Sequence, residues 1–139
     1  MAIDKYGYRY GPRYPQTYGV DSTSNAIAVG DVVTEATAGY VKKASAGDRV
    51  FGVAMEAATA GSADGDVKVQ VDVSPYSVYE YPPDAGSVTV ALIHRTMDLG
   101  GARSIDIDAS ADDDVYVENV DTSANTLFVR LVPYFQGVA

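Results

Sequence analysis

The sequence predicts an all-β protein, a small β-barrel or sandwich of short antiparallel strands with an extended N-terminal arm. Three observations predict it. The stretch "DVKVQVDV" alternates strictly, with Val67, Val69, Val71 and Val73 on one face and Lys68, Gln70 and Asp72 on the other, which is the period of a half-buried strand. Turn clusters such as "ASAGD", "AGSADGD", "PPDAG" and "LGGA" recur at short intervals, the punctuation of a small barrel or sandwich. Helix signals are scarce: the best, "VAMEAATA", is hemmed in by Gly52 and Gly61 and reads as a strand leading into a turn.

Residues 1–19 read as the arm. Five of the eleven tyrosines lie there, and Tyr6, Tyr8 and Tyr10 alternate with Gly7 and Arg9, so an extended backbone turns the tyrosines to one face. Pro12 and Pro15 forbid a stable helix through Tyr14 and Tyr18. Aliphatic residues are almost missing, so the arm is expected to be ordered by a neighbouring chain rather than by folding on itself.

A barrel over residues 20–81 comes next, drawing strands from "AIAVGDVV", "GYVKKA", "RVFGVAM", "DVKVQVDV" and "YSVYEY". Consecutive prolines cannot continue a central strand, so Pro82-Pro83 is the expected seam. Residues 84–139 then form a second β layer or subdomain from "SVTVALIH", "SIDID", "DVYVEN" and "TLFVRLV", with Ile105, Ile107, Leu127, Val129 and Leu131 facing inward. A long loop within one domain fits the prolines equally well.

Composition narrows the chemistry. The chain has 139 residues, enough to bury a proper core, and no run approaches the roughly 18 apolar residues of a membrane-spanning helix. The chain is expected to be soluble, with no membrane partner and no readable targeting signal. Cysteine is absent, which removes disulfides and thiolate chemistry, and a single histidine builds no multi-histidine metal site. The net charge of −9 argues against nucleic acid as a partner. That charge is uneven, because Lys5, Arg9 and Arg13 against Asp4 give residues 1–19 a charge of +2 and leave −11 for the rest.

His94 is the only conventional general base, yet Ser87, Thr89 and Asp98 near it form no nucleophile motif, so no catalytic residue and no enzyme activity are expected. "SIDIDASADDD" gathers Asp106, Asp108, Asp112, Asp113 and Asp114, oxygen donors that suit calcium, but the spacing is not that of an EF-hand loop. Asp106 and Asp108 alternate with Ile105 and Ile107, so a solvated strand face is the better reading and no metal site is assigned. The glycines form no phosphate-binding pattern, and no cofactor is expected.

Tyrosine and arginine are the residues most enriched at protein–protein hot spots. The arm's Lys5, Tyr6, Tyr8, Arg9, Tyr10, Arg13, Tyr14 and Tyr18 are therefore the candidate binding residues, the tyrosines anchoring and the basic residues meeting carboxylates or carbonyls. Tyr76, Tyr79 and Tyr81 would suit a carbohydrate-binding groove if exposed, the basis of an alternative as a glycan- or receptor-binding module.

Gly30-Asp31-Val32-Val33, then Phe51-Gly52-Val53-Ala54, an Ala/Gly-rich turn from Ala58 to Gly65 and the valine strand Val67 to Val73 follow one another in order. This pattern resembles the head decoration, or cement, proteins of tailed bacteriophages. The resemblance implies a non-enzymatic virion protein on the outer surface of an icosahedral capsid, whose partner is the major capsid protein. It also implies a homo-oligomer, a trimer favoured over a dimer, that clamps neighbouring capsid subunits partly through an N-terminal arm.

Overall fold

A computed structural model describes residues 6–37 and 39–132, and it is β throughout apart from one turn of 3₁₀ helix at Val90–Leu92. The strands are β1 (Gly7–Tyr10), β2 (Pro15–Val20), β3 (Val32–Glu35), β4 (Tyr40–Lys43), β5 (Gly52–Ala54), β6 (Lys68–Asp72), β7 (Val78–Tyr81), β8 (Thr96–Gly101), β9 (Ser104–Asp106), β10 (Val115–Asp121) and β11 (Thr126–Leu131). They form a closed five-strand barrel, β2-β4-β3-β5-β6, and a six-strand sheet in the order β1-β7-β11-β10-β8-β9. The all-β expectation holds. Among the described residues two pairings depart from the antiparallel pattern: β2 runs parallel to β4, and Pro83 makes an isolated parallel bridge with Ile105.

Valine alternation builds the barrel interior. Val20, Val33, Val41, Val69 and Val71 close on one another with Ile27, Ala54 and Ala58. Val32 and Val53 point the other way and join the sheet's core of Tyr79, Tyr81, Leu99, Ile105, Leu127, Val129 and Leu131. The adjacent valines of "GDVV" are thus both buried, one in the barrel and one between barrel and sheet. The inward assignment of Leu127, Val129 and Leu131 is borne out, as is that of Ile105, while Ile107 is half-buried.

The Gly30-Asp31 turn ties the two parts together. Gly30 adopts φ +88°, and the Arg103 guanidinium lies where a side chain on it would project. Buried Asp31 accepts the Ala28 N–H at 2.8 Å and pairs with Arg103 Nε at 2.6 Å and Lys43 Nζ at 3.5 Å. The hydroxyl of buried Tyr81 donates to the Gly30 carbonyl at 2.7 Å.

The boundaries drawn from the sequence need correction. The barrel begins at Pro15, inside the expected arm, and ends at Asp72, while β7 belongs to the sheet. Pro82-Pro83 does end β7, as paired prolines must, but it ends a strand within the sheet unit rather than marking the seam. "SVTVALIH" is β-rich in composition yet finds no ladder partner and forms the 3₁₀ turn.

Gly52 has no unusual φ; space alone demands it. A Cβ there would lie 2.5 Å from Val71 Cγ1 and 2.6 Å from the Asp72 carbonyl. Gly52→Ala is therefore expected to cost about 1–3 kcal/mol through overpacking, seen as a lower urea midpoint with an unchanged slope.

Candidate interaction surface

The expected arm folds onto its own chain. β1 pairs antiparallel with β7, matching Gly7 to Glu80 and Tyr8 to Tyr79. β2 then runs along β6 from Pro15 opposite Asp72 to Gly19 opposite Lys68. Residues 11–14 cross from sheet to barrel over the turn at 74–77. Gly11, at φ +101°, permits the crossing, because any Cβ there would strike the Tyr76 carbonyl. The Ser77 hydroxyl donates to the Pro12 carbonyl at 3.0 Å, and the Val73 N–H donates to the Tyr14 carbonyl at 3.0 Å.

Asp72 holds the crossing from beneath. Its carboxylate, fully buried, accepts the Tyr14 N–H at 2.9 Å, the Ser74 N–H at 3.0 Å and the Tyr79 hydroxyl, and pairs with Arg13 Nε at 3.4 Å. Burial alone would raise this carboxyl. The donors outweigh burial: the Tyr14 N–H, the Tyr79 hydroxyl and the Ser74 N–H together hold it below the ordinary carboxylate range. Tyr79 moves the opposite way, raised by burial and by the neighbouring carboxylate. The sequence had placed Asp72 on the wet face of its strand, and the crossing segment covers that face instead.

Several predicted binding residues are used inside the chain. Arg9 pairs with Glu80 at 2.8 Å, and Arg13 stacks over the Tyr8 ring, 4.1 Å from its centroid, while reaching Asp72. Tyr8 is half-buried, its edge on Tyr79 and its hydroxyl donating to the Gly11 carbonyl at 2.6 Å. Tyr18 is half-buried against Phe51, and Tyr6 packs against the sheet core. Lys5 lies outside the described residues. Tyr10 and Tyr14 stay open to solvent, 55% and 60% exposed, and the structure adds a third that the sequence did not group with them, Tyr76, at 63%.

Tyr76 continues into a shallow hollow of about 250 Å³ shared with Pro75, Tyr116, Arg130, Leu131 and exposed Val132. The Arg130 guanidinium lies 4.9 Å from the Tyr116 ring centroid. Tyr76 could have been anticipated from "SPYS", a tyrosine set in a Ser-Pro turn between two strands. The groove of three tyrosines does not exist, because Tyr79 and Tyr81 are fully buried and stack on each other 6.1 Å apart.

His94, at φ +68°, stacks on Tyr116 at 5.9 Å on the rim of a second open hollow of about 440 Å³. Among the described residues its ring makes no hydrogen bond to a hydroxyl. The acidic stretch is less uniform than expected. Asp108 and Asp113 are exposed, but Asp114 is buried, and Asp98, also buried, lies beside it. Asp98 accepts the N–H groups of Ala111, Asp112 and Asp113 at 3.0, 2.8 and 2.9 Å, which curls the 109–113 loop around its carboxylate and turns Asp114 inward. Burial pushes the Asp114 carboxyl up to about 6, with the Leu99 N–H and Arg49 opposing and Asp112 and Asp98 adding to the rise.

The fold and surface define an all-β protein in which a barrel and a sheet are clasped by one crossing segment, with exposed tyrosines beside the clasp. Comparison with protein-family models, curated proteins and solved structures finds no match. Among the described residues no helix is long and apolar enough to cross a membrane.

Proposed function

We propose that this chain is a structural virion protein that docks on the outside of an icosahedral phage capsid and stabilises it by bridging neighbouring major capsid protein subunits. The observation that carries the proposal is the individual exposure of Tyr10, Tyr14 and Tyr76 on a backbone already locked by Asp72, Gly11 and Ser77. Large aromatic area on a fixed backbone loses little entropy on docking and supplies hot-spot contacts. The nearby Arg130, Tyr116 and Val132 extend it with the composition of an interface core. A protein that binds the assembled shell better than free subunits stabilises the shell by mass action. The acidic remainder of the chain suits an outer surface by keeping particles mutually repulsive. Self-association, as a trimer, belongs to the same proposal.

The arm's role changes accordingly. The docking element is the clasped surface and not a free strap, so the test uses point substitutions. Tyr14→Ser combined with Tyr76→Ser is expected to weaken binding to undecorated capsids by about a hundredfold or more, since a hot-spot tyrosine is worth roughly 2 kcal/mol. The exposed position of both rings predicts an unchanged unfolding midpoint. Val90→Ser, at an exposed site on the 3₁₀ turn, serves as the neutral control. An intact protein that ignores capsids overturns the proposal, and a double variant that binds normally removes these tyrosines from it.

A further inference from the structure

We propose that Asp98, Asp112 and Asp114 form a site for a divalent cation, with Ca²⁺ the best fit. One carboxylate oxygen from each residue lies within 4.8 Å of the others. An ion with oxygen ligands at about 2.3–2.6 Å can touch donors separated by up to roughly 5 Å across it, so the spacing accommodates one calcium. The donors are all hard carboxylate oxygens with no nitrogen or sulfur, which favours Ca²⁺ over zinc or copper. Water would complete the shell on the open side, where Asp112 is half-exposed.

A carboxylate cluster alone would say little, but Asp114 adds a separate observation. Its side chain is 1% exposed, its Oδ2 accepts the Leu99 N–H at 3.2 Å, and its Oδ1 is buried with no hydrogen-bond partner. A buried, charged oxygen left without a hydrogen bond is costly. The Arg49 guanidinium stands 3.6 Å from this Oδ1 and 3.6 Å from Asp112 Oδ1, close enough to attract both but too far to hydrogen-bond either. Among the described residues the ion pairs on Asp112 and Asp114 both come from this one guanidinium. Asp98 is not exhausted by its three N–H donors, because its Oδ2 accepts one of them and retains a lone pair. A bound divalent ion would satisfy Asp114 Oδ1, offset the carboxylates' charge and fix the 109–114 loop to β8.

The test is a thermal unfolding series on the full-length protein, first stripped with chelator and then titrated with CaCl₂, with MgCl₂ at matched ionic strength for comparison. Calcium is expected to raise the midpoint by several degrees at millimolar concentration, and magnesium by less, because binding to the native state alone adds stability. Asp112→Asn is expected to weaken the calcium response by about tenfold in concentration, since ligand charge sets affinity. Asp108→Asn removes the same charge four residues away on the exposed side and is expected to leave the response intact. No calcium response up to about 10 mM, well above the weakest protein calcium sites, overturns the proposal. So does an equal loss in the two variants, which would reduce the effect to diffuse attraction by an acidic surface. Arg49→Gln provides a second test if the Asp112 variant folds poorly: removing the competing cation is expected to tighten calcium binding, and weaker or unchanged binding counts against the site.

Discussion

Replacing Asp72 with alanine is expected to lower stability by about 3–5 kcal/mol, the usual cost of removing one partner from a buried charged network. The loss would appear as a fall in the urea midpoint. The magnitude follows from what the truncation leaves behind. The Tyr79 hydroxyl, the Tyr14 and Ser74 N–H groups and the Arg13 guanidinium all converge on one fully buried carboxylate, and alanine offers none of them an acceptor. Asp72→Asn is the informative control. Its amide keeps one acceptor oxygen for the two backbone donors but presents an NH₂ where Tyr79 and Arg13 need an acceptor, so an intermediate loss is expected. The pH dependence separates charge from shape. The folded carboxyl lies below its unfolded value, so its stabilisation is complete above the unfolded value near about pH 4 and is lost as pH falls through the lower folded value. The asparagine variant should lack that part of the acid transition. A wild-type acid profile that matches the variant's would show that Asp72 is held by packing alone.

Asp72 also shows where sequence reasoning succeeds and where it stops. Period-two patterning is local, and it located β6, β10 and β11 with the buried faces of Leu127, Val129, Leu131, Val69 and Val71, but it missed β8, whose Leu99-Gly100-Gly101 read as a turn. It assigned Asp72 to solvent because Lys68 and Gln70 on the same face are indeed exposed. The exception arises at the strand's end, where residues 13 and 14, nearly sixty positions earlier, lie across that face. The arm failed for the same reason. Alternating tyrosines correctly announced an extended segment, but its partners are distant, with Arg9 meeting Glu80 and Pro15 meeting Asp72. A shortage of aliphatic residues suggested a segment unable to fold on its own chain. The structure instead anchors it through backbone ladders, buried carboxylates and ring contacts, none of which an aliphatic count detects. Part of the candidate surface was readable, since Tyr10 and Tyr14 were singled out and are exposed. Tyr76 joins them only through the crossing at Gly11, and Asp98 meets Asp114 only through the loop it organises.

Deleting residues 1–19 is expected to unfold the protein rather than free a body from its strap. The deletion removes β1 and all of β2 except Val20. β2 closes the barrel by joining β6 to β4, so its loss opens two strand edges at once and strips one wall from the cluster around Val33, Val41, Val69 and Val71. It also withdraws the Tyr14 N–H and Arg13 from Asp72, leaving a buried carboxylate short of the donors that hold it ionised. These losses fall on one cooperative unit, because Val32 and Val53 of the barrel share the sheet's core. Together they exceed the 5–15 kcal/mol by which a domain of this size is ordinarily stable, and the expected product shows no cooperative unfolding transition by circular dichroism. A truncated protein that fails to bind capsids would then say nothing about which residues make the contact, whereas the paired substitutions at Tyr14 and Tyr76 change the surface and leave the clasp in place. A truncated protein that kept a cooperative transition would mean that β4 and β6 can close without β2, and would return residues 1–19 to the role of a separable arm.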